Sequence, residues 1–133
     1  MKHINLLKKH HLKVTPQRLV IVNSLYEEGH ITIDRLYTIL KNNFTNISLA
    51  TIYKNIHLME ANNLIQEVKI PNHKSVYEIV QQEHSHIVCT NCSNIMDITL
   101  NTDELKQQVQ LVSNFHINHS CIVFDGLCHD CVA

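Results

Sequence analysis

His84-Ser85-His86-Ile87-Val88-Cys89-Thr90-Asn91-Cys92 places two kinds of metal ligand in nine residues. The imidazoles come first: His84 and His86 alternate on a segment that reads as a strand, so both rings project to one face. The thiols follow, and the CxxC pair Cys89 and Cys92 has a counterpart in Cys128 and Cys131. Two such pairs wrap one ion tetrahedrally. Four thiolates suit zinc, which has no redox chemistry of its own and closes small, poorly cored units. The four cysteines therefore read as a closed structural zinc site, against the alternatives of two disulfides or buried free thiols. A redox CxxC would need a helix N-terminus after a βαβ pattern to lower its thiol pKa, and neither pair has that setting. Asp97, after Ile95-Met96, offers an oxygen ligand near the histidines if the chain turns back after the cysteine knuckle. Two such histidines are, from pattern alone, surface residues at least as often as ligands.

A chain of 133 residues with 44% apolar content buries a core as one domain or as two small ones. A change of texture after residue 80 favours two, 1–80 and 81–133. Charge divides at the same place. Residues 1–80 carry ten Lys and Arg against six acids, net +4, whereas 81–133 carry only Lys106 against six acids, net −5. A basic half joined to an acidic, ligand-rich half suggests a polyanion-binding module beside a metal-binding one. No apolar run reaches membrane-span length, and Met1-Lys2-His3-Ile4-Asn5 lacks the apolar core of a signal peptide. The expectation is a cytoplasmic protein with no membrane partner and with reduced thiols, which favours zinc over disulfides.

Thr15 and Pro16 mark a helix start, because the hydroxyl caps exposed N–H groups and proline loses no needed donor at the first helical position. That helix runs to about Glu28, before Gly29. Thr32 caps a second helix with Ile33, Leu36, Tyr37 and Leu40 on one stripe, and Ser48 caps a third with Leu49, Ile52, Ile56 and Met59 inward. Ala50, Thr51, Lys54 and Asn55 lie opposite, small or polar and suited to a groove. Residues 64–70 and 75–80 read as strands joined by a turn at Pro71-Asn72-His73-Lys74. Three helices and a two-stranded wing describe a winged helix, whose third helix enters the DNA major groove. From pattern alone Thr51, Tyr53 and Lys54 are equally well ordinary solvated helix residues. Beyond residue 80, strands around 84–89, 94–99 and 117–124 and a helix from Asp103 to Asn114, with Leu105, Val109 and Val112 apolar, make a small α+β unit.

These stretches together resemble the ferric uptake regulator family of metal-sensing bacterial repressors over nearly the whole chain. The resemblance rests on Leu12-Lys13-Val14-Thr15-Pro16-Gln17-Arg18, on Ile47 to Asn55, on His84 to Cys92 and on Cys128 to Cys131. It implies a homodimer with an N-terminal winged helix and a C-terminal α/β dimerisation domain carrying the four-cysteine zinc. It also implies a regulatory site at the hinge, carried over here as His30, Glu78, His84, His86 and Asp97. Filling that site would hold the two reading helices of the dimer at the spacing of a palindromic operator. Tyr53 and Thr51 correspond to base-contacting positions, and Lys13, Arg18 and Lys54, with Ser48 and Asn55 beside them, to the rest of the DNA contact. Some members carry a further metal site, to which Glu104 and His119 correspond. Glu83 stands where that pattern often has histidine, and Ser85 where iron regulators often have Asp.

The expected function is a repressor, not an enzyme, that responds to Fe(II) or Mn(II) and binds double-stranded DNA. Within the family the rivals are a peroxide sensor using iron at the same site and a zinc uptake regulator. Peroxide-sensing relatives typically carry Asp where this chain has Glu78, whereas Asp97 agrees with them. The extra methylene of Glu78 sets the expectation that iron-catalysed oxidation of His30 and His84 is slow. A metallohydrolase is the rival of another class, since His, His and Asp hold a catalytic metal with an open position, but no HExxH or substrate pocket signature accompanies them.

Overall fold

The computed structural model describes residues 2–132 and divides after Val80 into two compact units, each considered by itself. The first is built from helices α1 (Lys2–Lys9), α2 (Pro16–Glu28), α3 (Ile33–Asn43) and α4 (Leu49–Ala61), followed by strands β1 (Ile65–Val68) and β2 (Val76–Ile79). The capping residues act as expected. Thr15, Thr32 and Ser48 accept the N–H of Arg18, Arg35 and Thr51 at 3.2, 3.1 and 3.2 Å. Gly29 closes α2 at φ 78°, a left-handed value that costs glycine least.

α1 goes beyond the three expected helices, and its stop signal explains why. His11 N–H bonds Lys8 O and Leu12 N–H bonds Leu7 O, a Schellman closure with His11 at φ 59° where glycine is usual. The buried side chains of Leu7 and Leu12 supply the apolar contact that goes with it. α4 ends the same way, with Asn63 at φ 59° and Leu64 N–H on Met59 O. Ile21, Leu25, Leu36, Leu40, Ile52, Ile56 and Met59 form the core of this unit. Leu49, expected on the inner stripe, is 44% exposed because it sits in the first turn, beyond the core.

β1 and β2 pair antiparallel, with Gln66 opposite Glu78. An isolated bridge adds Ile31 to the far edge of β2, Ile31 and Tyr77 exchanging N–H···O bonds of 3.1 and 2.8 Å. That bridge draws the segment after α2 against β2.

The second unit has β3 (Ser85–Cys89), β4 (Ile95–Ile98), α5 (Asp103–Ser113), β5 (Val123–Gly126) and α6 (His129–Val132). β3 is the central strand, antiparallel to β4 and parallel to β5. The strand expected over 117–124 begins only at Val123; Ile122 reaches the sheet by its carbonyl alone, bonding His86 N–H. α6 was not foreseen, and its Cys131 and Val132 N–H groups close on Cys128 O. Leu105, Val109 and Val112 are apolar as read, yet all three are exposed on this chain. Among the described residues no helix is long and apolar enough to cross a membrane.

Candidate metal centres and nucleic-acid interface

All five cysteines are free thiols, so the two CxxC pairs are not disulfides. The sulfurs of Cys89, Cys92, Cys128 and Cys131 lie within 4.8 Å of one another. The first pair sits on the turn between β3 and β4, where Cys89 N–H bonds Asn94 O and Ser93, at φ 64°, returns its N–H to Cys89 O. Thr90 N–H bonds Gly126 O, tying that turn to the end of β5, from which the second pair follows. Backbone N–H groups of Cys92 and Cys128 pull the Cys89 thiol down to about 6. A hydrogen bond shared with the Cys131 sulfur pushes Cys128 up to about 11. A dication held by the four sulfurs would displace the thiol protons that remain there. Asn91 adds an amide N–H to Cys131 Sγ at 3.3 Å. Four converging sulfurs with N–H donors behind them fit a tetrahedral structural zinc.

Each unit supplies nitrogen and oxygen ligands. In the first unit His30 Nε2 lies 3.1 Å from Glu78 Oε2, and the Glu78 side chain is only 2% exposed. The Ile31–Tyr77 bridge causes this, since it aligns the neighbours of both residues. Gln66 Nε2 donates to the other oxygen, Glu78 Oε1, at 2.8 Å. A carboxylate buried this deeply is costly to leave without hydrogen-bond donors or a cation, and Gln66 and His30 stand where such partners are needed.

In the second unit His86 and Asp97 are directly opposed across β3 and β4. His86 Nε2 lies 3.3 Å from Asp97 Oδ1 and 3.1 Å from His84 Nε2. His84 Nδ1 donates to Gln82 O at 2.8 Å, so in the neutral ring Nε2 is the lone-pair nitrogen. The side chains of His84 and His86 are 6% and 5% exposed. Two shielded imidazoles and a carboxylate oxygen directed at one another are the donors of a borderline first-row cation.

Glu83, Glu104 and His119 do not form a ligand group among the described residues. Glu83 is occupied by Lys106, whose Nζ lies 2.8 and 3.0 Å from its two oxygens, and by Ser120 Oγ at 3.1 Å. An ammonium therefore stands beside Glu83, where the resemblance to some family members would put a ligand of a further metal site. Lys106 carries no motif that would have marked it in the sequence.

On α4, Ser48, Tyr53 and Lys54 are exposed and Thr51 is half-buried. Asn55, expected on that outer face, is buried instead. Its Oδ1 accepts from Arg18 Nε at 3.0 Å and its Nδ2 donates to Thr51 O at 3.0 Å. Arg18 Nη1 also donates to Lys13 O at 2.8 Å. Arg18 and Asn55 thus brace α4 against the segment preceding α2, and they hold the backbone from which the exposed Lys13 side chain extends.

Comparison with known proteins places the chain in a family. The model of the ferric uptake regulator family matches residues 9–124. The peroxide-responsive repressor PerR of Staphylococcus saprophyticus is 32% identical over 130 residues, 96% of this chain and 88% of that protein. The Campylobacter jejuni peroxide stress regulator superposes with TM-score 0.70 at 35% identity, covering 98% of this chain and 100% of its own. The ferric uptake regulator of Francisella tularensis, solved with iron, superposes with TM-score 0.76 at 25% identity over 92% of this chain and 96% of its own. The chain belongs to the ferric uptake regulator family.

Proposed function

We propose that this protein is a metal-responsive, DNA-binding repressor acting as a homodimer inside the cell, not an enzyme. Cys89, Cys92, Cys128 and Cys131 hold zinc, and Fe(II) or Mn(II) takes ligands from His30, Glu78, His84, His86 and Asp97. The observation that carries the reading is the separation of donor types. Soft sulfurs are gathered in one closed group, while nitrogen and oxygen donors are gathered elsewhere on both units. An ion that draws on both nitrogen and oxygen groups fixes one unit against the other, which is how ligand binding selects one arrangement of a dimer. Iron bound to the Francisella tularensis relative supports the choice of metal.

DNA meets the exposed side of α4. Tyr53 and Thr51 face bases of a palindromic operator, whereas Lys13 and Lys54 meet phosphate. Arg18 and Asn55 act by bracing α4, and Ser48 by capping it. The deciding experiment titrates Fe(II), Mn(II) and Zn(II) separately into zinc-loaded protein while operator binding is measured. Fe(II) or Mn(II) should raise affinity, and no response to any of the three ends the proposal. Lys54→Ala should lower the slope of log affinity against log salt by about one; an unchanged slope removes Lys54 from the interface.

A second reading, peroxide sensing by iron at the same residues, is favoured by the Staphylococcus saprophyticus and Campylobacter jejuni relatives and by Asp97. Peptide mass spectrometry after brief, low-dose peroxide treatment of the Fe(II)-loaded dimer separates the two, with the Mn(II) form as control. Slow oxidation is expected. Rapid gain of one oxygen on His30 or His84, with loss of operator binding, puts peroxide sensing first.

A further inference from the structure

Each unit pairs a candidate ligand carboxylate with a glutamine amide, and the two pairs are alike. In the first unit Gln66 faces Glu78 across the hairpin and holds Oε1 at 2.8 Å, while Oε2 lies 3.1 Å from His30 Nε2. In the second, Gln81 Nε2 donates to Asp97 Oδ2 at 3.1 Å, while Asp97 Oδ1 lies on the histidine side, 3.3 Å from His86 Nε2. In both cases the amide takes one carboxylate oxygen and the imidazole side takes the other. A carboxylate that chelates a cation needs both oxygens on the ion, and an oxygen already accepting an amide N–H gives up that bond to chelate.

We propose that Gln66 and Gln81 are positioning residues that keep Glu78 and Asp97 to one metal-binding oxygen each. The inference rests on the reading above, in which both carboxylates serve one regulatory ion. Three imidazole nitrogens and two carboxylate oxygens would then make five protein donors. Gln81 has a further part when no ion is bound. Its Nε2 also lies 3.2 Å from His84 Nε2, the lone-pair nitrogen, so its two N–H groups bridge Asp97 and His84. His84 Nε2 would be given up to the ion while the Gln81 bond to Asp97 stayed in place. The amide thus holds two ligands near their working positions beforehand, which reduces the ordering that binding requires.

Cobalt(II) is the probe, because its visible absorption weakens as coordination number rises. Zinc-loaded dimer is titrated with Co(II), and absence of a thiolate-to-cobalt charge-transfer band verifies that the cysteine site keeps its zinc. The unmutated protein should give a five- or six-coordinate spectrum, and Gln66→Leu should change it as Glu78 turns to chelate, by weaker absorption from a five-coordinate ion or by a shifted band where the second oxygen replaces a solvent ligand, with Co(II) affinity changed by roughly tenfold. Gln81→Leu, at an exposed position, should do the same through Asp97. If Co(II) binding needs His30 and His86 but both leucine variants keep the spectrum and affinity of the unmutated protein, the amides have no positioning role. If the unmutated protein takes up no Co(II), or takes it up equally with His30→Ala and His86→Ala, the shared-ion reading falls and this inference with it.

Discussion

In the first unit Leu7, Ile21, Leu36, Leu40, Ile52, Ile56 and Met59 are fully buried, whereas in the second α5 buries no residue and Leu111, Val112 and Phe115 are 81%, 87% and 72% exposed. The sheet of the second unit has three short strands, with only Val88 and Cys89 as its buried apolar side chains. A helical bundle closed by its own side chains folds on transfer of apolar surface from water. A thin sheet with an uncovered helix needs something added, and two additions are at hand: an ion at the sulfurs and a second copy over the apolar residues.

The sharpest way to break that contrast is Cys92→Ser. Zinc binding in small metal-closed units is worth on the order of 10 kcal/mol, so the substitution should release zinc and abolish hydrogen-exchange protection in β3 to β5. Protection in α2 to α4 should persist. Loss of protection throughout would mean that the first unit also depends on the ion. Next comes Ile56→Ala, which should cost the first unit about 2–5 kcal/mol in denaturant unfolding while zinc content stays stoichiometric. A parallel loss of zinc would show that the two units share one core.

Tyr77 gives a smaller effect confined to the first unit. Burial, then the nearby Glu67 and Glu60 carboxylates, push its hydroxyl up to about 12. The folded state therefore keeps this proton above the pH, about 10, at which the unfolded chain releases it. Its contribution is whole below pH about 10 and lost as pH rises toward about 12. Tyr77→Phe should flatten the alkaline fall in stability over that window; an unchanged fall assigns it to other groups. The smallest effect belongs to Glu83, whose carboxyl the Lys106 ammonium, then the Ser120 hydroxyl, hold below the usual carboxylate range. Stability from this exposed group is present above the ordinary glutamate pKa and disappears as pH falls through the lowered one. Glu83→Gln should remove a slight acid sensitivity of the second unit, and uptake of a further divalent ion by the unmutated protein would contradict the ammonium's role there.

Sequence reading succeeded where one residue type has one local use. Thr15, Thr32 and Ser48 are caps because a hydroxyl satisfies an exposed N–H, and the two CxxC pairs converge because thiols at that spacing have few other uses. It missed α1 because His11 occupies a left-handed position without glycine to announce it. It placed Asn55 outward because amphipathic spacing says nothing of a buried amide held by Arg18. Gln66 could have been found, since the hairpin pairs it with Glu78. Gln81 could not, because it lies outside any strand and meets Asp97 only through the tertiary path of the chain.

β3 carries His86 on one face and Cys89 on the other, and its partner β4 starts where the cysteine turn ends. A strand displaced by one residue turns every side chain to the opposite face. The length of that turn therefore decides whether Asp97 meets His86 at all. An ion closing the four sulfurs would hold the ends of that turn, so its grip on Cys89 and Cys92 would reach, through the register of one hairpin, the place where Asp97 faces His86.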